Sequence, residues 1–313
     1  MYKGKRVTVV VPAYNEGALI AETLRGIPDF VDSVVVVDDA SADSTAARAR
    51  EVAVRDQRVT VMVHDQNTGV GGAVVDGYRA AIENGSDIAV VMAGDNQMPP
   101  EHLPELLDAI AEDGYDAAKG NRFIASESSL ETMPRYRFIG NILLTILTKA
   151  ASGYWSIFDS QNGYYAVTTQ TLRRLNLERI AQRYDLENSI LIQMNIINAR
   201  VKDVGIPARY GEEVSGIRLW RVLPRMILTL VRGFFQRMYR KYVLYNFHPI
   251  ALFLFSGLLM MLWGVLFGAW AAAESIGEDT ASTGTVMLSV LPFLMGFQFV
   301  LSALVLDIQN EPK

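Results

Sequence analysis

The sequence predicts an α/β domain built on a mostly parallel sheet, followed by amphipathic juxtamembrane helices and two transmembrane helices. Three observations predict it. Short β-branched runs alternate with helical patterns through the first part of the chain. Two long uncharged apolar runs close it. Between them, Arg218 to Lys241 carries seven basic residues and no acidic one. The expected divisions are 1–216, 217–247 and 248–313: α/β domain, juxtamembrane helices, and two-span hairpin with a short tail.

The strand-like runs are Val7–Val11, Val34–Asp38, Val59–Val63 and Ile88–Met92. Helical patterns separate them at Gly17–Gly26, Ser44–Val54 and Gly72–Asn84. Strands alternating with helices imply parallel pairing with both faces covered. Ligands in such sheets bind at the carboxyl ends of the strands. The polar residues after each run are therefore the candidate site: VVVPAYNE at 9–16, VVDDASADST at 36–45, NTGVGGA at 67–73 and DNQMPPE at 95–101. Taken singly these are ordinary loop and capping sequences. Their ordered recurrence at four strand ends is the signal.

The juxtamembrane stretch places Trp220, Leu223, Met226, Ile227, Leu230, Phe234, Met238 and Tyr242 at near-helical spacing, interrupted by Pro224 and Gly233. Arginines between them suit an interfacial helix with cations at lipid phosphates. The apolar runs extend from Pro249 to Ala273 and from Gly284 to Leu306, each long enough to cross a bilayer as a helix. Glu274, Glu278 and Asp279 lie between them, with no Lys or Arg. The positive-inside rule then puts the basic flank, the N-terminal domain and the tail Asp307–Lys313 in the cytoplasm. The expected location is the cell membrane, as a two-span protein. Met1–Arg6 shows no apolar leader.

Net charge is −5, so the chain outside the basic segment carries −12. That distribution excludes a uniformly basic nucleic-acid binder, and no nucleic-acid partner is expected. There is no cysteine, which removes disulfides and thiolate metal sites. His64, His102 and His248 are scattered without metal-ligand spacing and read as structural.

Together with GNRF at 120–123 and DSQNGY at 159–164, the strand-end motifs resemble the family 2 glycosyltransferases of GT-A fold. More narrowly, the chain resembles the membrane-attached polyprenyl-phosphate glycosyltransferases, the dolichyl-phosphate mannose synthase group. The likeness covers roughly residues 5–215, and two C-terminal spans are common in that group. It implies a Rossmann-like GT-A catalytic domain. It also implies inverting transfer of one sugar from a nucleotide-sugar, UDP- or GDP-linked, to a polyprenyl phosphate at the cytoplasmic membrane face. Relatives with such tails assemble, so a homo-oligomer through the hairpin is a further expectation.

The resemblance assigns roles. Pro12, Ala13, Tyr14, Glu16, Asp38, Asp39, Asn67, Gly72 and Asp95 would hold the nucleotide-sugar, with Asp39 reading the base. Carboxylates suit that task because they accept from base N–H and ribose hydroxyls. The family usually carries Asp-x-Asp followed by Gln. Here the positions are Ala93, Asp95 and Gln97, so the first Asp is absent. On an extended segment these three side chains share a face. Asp95 and Gln97 would hold Mg²⁺ or Mn²⁺, an ion that keeps waters and takes substrate phosphates. It would neutralise charge on the departing diphosphate.

A phosphate monoester is largely dianionic near neutral pH and needs cations more than a base. Arg122, Arg135 and Arg137, with Gln161 and Asn162, would hold it. Asp159 would orient sugar hydroxyls, or act as base toward a hydroxyl acceptor. Of the group's basic closing loop, Ser215 and Arg218 match, whereas Glu212 and Glu213 replace part of it. Two alternatives stay open: a membrane glycosyltransferase using another lipid or a polysaccharide acceptor, and a catalytically decayed membrane scaffold.

Overall fold

The computed structural model describes residues 1–122, 135–183, 185–207, 219–275 and 281–313. Seven strands form one sheet: β1 Val7–Ala13, β2 Ser33–Asp38, β3 Val59–Val63, β4 Ile88–Val91, β5 Ala117–Asn121, β6 Tyr165–Thr168 and β7 Val201–Gly205. Their order is β3-β2-β1-β4-β6-β5-β7. β1 to β4 pair in parallel, as does β5 with β7; β6 runs antiparallel to both β4 and β5. The GT-A, Rossmann-like expectation therefore holds, with one reversed strand.

The helices of the domain are α1 Ile20–Gly26, α2 Thr45–Arg55, α3 Val70–Glu83, α4 Leu103–Ala111, α5 Arg135–Ser152, α6 Thr169–Arg174 and α7 Leu186–Ile196. The alternation of side chains along β1 divides the core. Val7, Val9 and Val11 face Ile20 and Leu24 of α1, Val52 of α2 and Leu106 of α4. Val10 faces Val74 and Tyr78 of α3 and the Ile190 side of α7. Gly77 sits where α3 crosses β1, and a Cβ there would strike the Val10 side chain. Burial on both faces explains why these strands read as continuous valine runs rather than alternating ones.

The chain steps outward from β1 to β2 to β3, then returns to place β4 on the other side of β1. This reversal opens a crevice at the carboxyl ends of β1 and β4. The backbone is unusual there. Asn15, Ala40 and Asn96 follow β1, β2 and β4, and each has φ of 58°. Non-glycine residues adopt this left-handed region at a cost of about 1 kcal/mol.

Helix α8, Leu219–Tyr239, runs unbroken through Pro224 and Gly233. Its first part packs on the domain. Met226 and Leu230 join Ala151, Ile192 and Ile196, and Gly233 lies against Ile192. Ile227, Leu228 and Val231 stay exposed on another face. The face carrying Met226 and Leu230, expected at a membrane interface, is thus packed on the domain.

The chain forms two compact units, residues 1–234 with 312–313, and residues 235–311. The second unit contains α9 Pro249–Glu274 and α10 Thr283–Gln309, both long and apolar enough to cross a membrane. Small residues form their seam at seven-residue spacing: Gly257, Gly264 and Ala271 on α9, and Ser289, Gly296 and Ala303 on α10. Such spacing keeps one stripe facing a partner helix, and small side chains allow close backbone approach. A Cβ at Gly296 would lie 2.6 Å from the Gly257 carbonyl oxygen, and one at Gly264 2.7 Å from Phe293 Cβ.

Two departures concern charge. Helix α10 continues to Gln309, so Asp307 belongs to the helix rather than to a free tail. Arg237, expected among cations facing lipid phosphates, is fully buried. Its Nη1 and Nη2 donate to the two Asp307 oxygens at 2.7 and 2.8 Å, and the Tyr242 hydroxyl donates to Asp307 Oδ1 at 2.7 Å.

Gly296→Leu is expected to destabilise the hairpin by about 1–3 kcal/mol, the usual cost of overpacking. Thermal unfolding of the purified protein in detergent measures this; an unchanged midpoint would show that the seam tolerates bulk.

Candidate active site

Two cavities lie side by side at the carboxyl edge of the sheet and share Pro12, Val70, Ala93 and Asp95. The larger, about 420 Å³, is lined by Pro12, Ala13, Tyr14 and Glu16 after β1, Asp39 after β2, Asn67 and Gly69 before α3, and Arg183. Seven of the nine residues expected to hold a nucleotide-sugar therefore meet in one place. Asp38 and Gly72 do not line it. Asp38 is buried and accepts the Ser41 hydroxyl. Gly72 packs against the Thr68 side chain.

Asp39 is held by four donations. Oδ1 accepts from the Thr68 amide at 2.8 Å, the Thr68 hydroxyl at 2.9 Å and His64 Nδ1 at 2.9 Å; Oδ2 accepts from the Gly69 amide at 2.7 Å. Burial pushes its carboxyl up, but these bonds outweigh it and hold the group below the usual carboxylate range. An ionised Asp39 requires His64 to carry its proton on Nδ1. The other ring nitrogen lies 3.2 Å from Asp76 Oδ2. His64 thus supports Asp39 in the wall of the larger cavity, which its isolation in the sequence concealed. With Oδ1 crowded and Oδ2 taking one bond, Oδ2 is the atom suited to accept from a base N–H.

The smaller cavity, about 270 Å³, contains Asp95, Gln97, Arg122, Asn162 and Glu187 among its lining. Ala93, Asp95 and Gln97 all face it, but not because the segment is extended. Residues 94–95 form a turn, Asn96 is left-handed, and the Gln97 amide donates to Asp95 Oδ1 at 3.0 Å. The Asn96 side chain anchors the turn by donating to Glu22 Oε1 at 2.9 Å. Among the described residues no group of three His, Cys, Asp or Glu could hold a metal. One carboxylate and one amide oxygen fit a hard cation that draws its other ligands from water and a diphosphate.

Arg122 and Asp159 form a two-armed pair. Arg122 Nε and Nη2 donate to Asp159 Oδ2 and Oδ1 at 2.8 and 3.0 Å, and the Arg122 amide donates to Oδ2 at 3.1 Å. Asp159 is buried and does not line the cavity, whereas Arg122 does. Burial raises the Asp159 carboxyl, but the Arg122 guanidinium lowers it by more, so it stays below the ordinary range. A carboxylate so committed is poorly placed as a base or a sugar ligand; it positions Arg122. Gln161 likewise turns away from the cavity and donates to Asn188 Oδ1 at 3.0 Å. Arg135 and Arg137 begin α5, but their side chains lie outside the described residues, as do Ser215 and Arg218 entirely.

Lys119, in the middle of β5, is fully buried and does not itself line this cavity. Its Nζ donates to the Asn162 carbonyl and sits 4.4 Å from the Tyr165 ring centroid. Burial lowers its pKa to about 8, against the pull of Asp159, Glu187 and Asp203. Burial also raises Glu187 and Asp203. No local pattern announces Lys119, Glu187 or Arg183, because a strand, a helix and a loop far apart in sequence bring them here.

Residues 8–174 match the family described as Glycosyl transferase family 2. The chain belongs to that family. This family 2 chain is 29% identical over 221 residues to a UDP-N-acetylglucosamine–dolichyl-phosphate N-acetylglucosaminyltransferase of Methanococcus voltae, covering 66% of this chain and 87% of the relative. It is 24% identical over 309 residues to an undecaprenyl-phosphate 4-deoxy-4-formamido-L-arabinose transferase of Proteus mirabilis, covering 95% and 86%. Among solved structures, glucosyl-3-phosphoglycerate synthase from Mycobacterium tuberculosis, in complex with Mg²⁺ and UDP, shares the fold. The TM-score is 0.54 at 21% identity, over 75% of this chain and 79% of that one.

The Arg122–Asp159 pair of this family 2 domain has a pH signature. Because the folded Asp159 carboxyl lies below its unfolded value near 3.9, its contribution is full above about pH 4 and is lost as pH falls through the folded value. Denaturation followed against pH is expected to show a shallower acid loss for Asp159→Asn than for wild type. Equal slopes would remove the pair from the acid response.

Proposed function

We propose that this protein transfers a single sugar from a nucleoside-diphosphate sugar, UDP- or GDP-linked, to a polyprenyl phosphate, with inversion at the anomeric carbon. The observation that carries the reading is the position of Asp95, which lines both cavities. The larger cavity offers Asp39, Tyr14 and Glu16 to a base and ribose. The smaller offers Arg122 to an anion. A donor spanning both would place its diphosphate beside Asp95 and Gln97, with its sugar facing Arg122.

In the reaction an acceptor phosphate oxygen forms a bond to the anomeric carbon. The bond from that carbon to the diphosphate breaks, and its electron pair leaves with the nucleoside diphosphate. The acceptor arrives as a dianion and needs no proton removed, in keeping with an Asp159 already committed to Arg122. Arg122, fixed by its two-armed contact, orients the attacking phosphate. Asp95 and Gln97 would hold Mg²⁺ or Mn²⁺, which when bound offsets the charge gathering on the leaving diphosphate. Arg183, at the larger cavity, adds a cation toward the same diphosphate.

The relatives named for dolichyl and undecaprenyl phosphates support the acceptor class. Two apolar helices support membrane attachment. The basic segment before α9 and the acidic residues between α9 and α10 favour two spans with the catalytic domain in the cytoplasm.

Purified protein in lipid nanodiscs, given labelled nucleotide-sugars, is expected to glycosylate undecaprenyl phosphate and to leave undecaprenol and diacylglycerol unmodified. Transfer to either neutral lipid instead would replace the phosphate reading. Asp95→Asn should lower transfer by more than about a hundredfold, on the scale of losing a transition-state charge contact, with unfolding unchanged. Near-normal turnover would displace the cation site. Ala93→Asp adds a second carboxylate to the same turn and should lower the half-saturating Mg²⁺ concentration about tenfold, since cation affinity follows ligand charge.

A further inference from the structure

A uridine-linked and a guanosine-linked donor differ in what their bases ask of a protein, and the wall of the larger cavity holds a group that tells them apart. An ionised carboxylate has about four lone-pair sites, two on each oxygen. At Asp39, Oδ1 takes three donors: the Thr68 amide, the Thr68 hydroxyl and His64 Nδ1, at 2.8, 2.9 and 2.9 Å. Oδ2 takes one, the Gly69 amide at 2.7 Å. Among the described residues nothing else donates to this carboxylate, so one site on Oδ2 is left.

The surroundings hold this arrangement in place. His64 Nε2 lies 3.2 Å from Asp76 Oδ2, and Asp76 also accepts from Arg79 Nη1 at 2.8 Å, which keeps the imidazole turned with Nδ1 toward Asp39. Gly72 has no Cβ; one there would stand 2.3 Å from Thr68 Oγ1 and drive the hydroxyl off Asp39. Gly69, with φ of 90°, can aim its amide at Oδ2 without strain. Other acceptors along the wall are engaged. The Pro12 and Ala13 carbonyls accept the Gly94 and Asp39 amides at 3.2 and 2.9 Å, and the Asp39 carbonyl accepts from Asn67 Nδ2 at 3.2 Å. Of the cavity's other carboxylates, Glu16 serves the ribose and Asp95 the cation in the reading above. Asn67 keeps a second amide hydrogen for a base carbonyl. Uracil presents one imino N–H between two carbonyls. Guanine presents an imino N–H and an amino group side by side and needs two acceptors. One vacant site satisfies the first base and leaves a donor of the second unmet.

We propose that the donor base is a pyrimidine with a single imino N–H, as in uridine or thymidine, and not guanine, and that His64 and Thr68 are the positioning residues that set this choice by filling Asp39 Oδ1. The proposal rests on the donor reading above and narrows it. Selection then comes from what the carboxylate has already spent on the protein, and not from a clash with the larger ring.

The test is calorimetric binding of UDP, dTDP, GDP and IDP by the full-length protein in nanodiscs with Mg²⁺. At least one of the two pyrimidine nucleotides is expected to bind about tenfold or more tighter than GDP, the cost of one unmet buried donor. N3-methylation of the pyrimidine that binds removes the N–H and should weaken it about as much. IDP has the size of a purine but only one N–H on that edge, beside a carbonyl, so it should bind more tightly than GDP. Three results would overturn the assignment. GDP could bind as tightly as both pyrimidines. IDP could be as weak as GDP, which would make ring size the discriminator. Or the N3-methyl pyrimidine could bind undiminished.

A double variant supplies a second readout. His64→Leu with Thr68→Val leaves Oδ1 with one donor and opens a second site, so the ratio of pyrimidine to GDP affinity should shrink about tenfold. Thr68→Ser keeps the hydroxyl and should keep the wild-type ratio. A merely structural role would weaken every nucleotide alike, and an unchanged ratio in the double variant overturns the part given to His64 and Thr68. The wild-type series decides the base whether or not the double variant folds. Failure of the transfer reading registers separately, as selective nucleotide binding without glycosylation of undecaprenyl phosphate.

Discussion

The adjacency of β1 and β4 governs the functional edge of this molecule. Because β4 returns to the far side of β1, the loops after both strands converge, with the β2 loop beside them. Asn15, Ala40 and Asn96 turn the chain sharply at those three tips. The left-handed conformations are held by neighbouring bonds: the Asn15 amide donates to Ser41, and the Asn96 side chain to Glu22. Local backbone strain is thus tolerated where the fold needs three loops to face one space.

Charge placement gives that space its chemistry. Asp39 is ionised and saturated on one oxygen, with His64 and Asp76 continuing the chain of contacts away from the cavity. Arg122 is fixed rather than free, because Asp159 takes both arms of its fork. Preorganised donors of this kind need no rearrangement when a charged ligand arrives. The carboxylate that the motif pattern brings nearest the reaction serves as the arginine's partner, and a different acid, Glu187, faces the cavity.

Much of this was legible from residues alone. The valine runs gave four strands, since strands buried on both faces have little room for polar residues. They missed β7 and, more instructively, β5 and β6. Ala117–Asn121 includes Lys119 and Gly120, and Tyr165–Thr168 is only four residues long. Neither has the uniform β-branched signature, and both are strands because the sheet around them supplies partners. Ala93, Asp95 and Gln97 do line one cavity, through a turn instead of strand alternation. The Arg122–Asp159 pair joins residues 37 apart, and no local pattern announces it. Nothing local in the sequence encodes such pairings. The seven-residue seam of small residues in the hairpin is plain in hindsight and hidden by the run's overall apolarity.

The clasp between Arg237 and Asp307 joins residues 70 apart in the chain. A ribosome adding about 5–20 residues per second makes the arginine roughly 4–14 s before its counter-ion exists. Throughout that interval the nascent arginine must stay hydrated or borrow an anion from a lipid headgroup. Final docking of its helical turn therefore waits for the last turns of the closing helix.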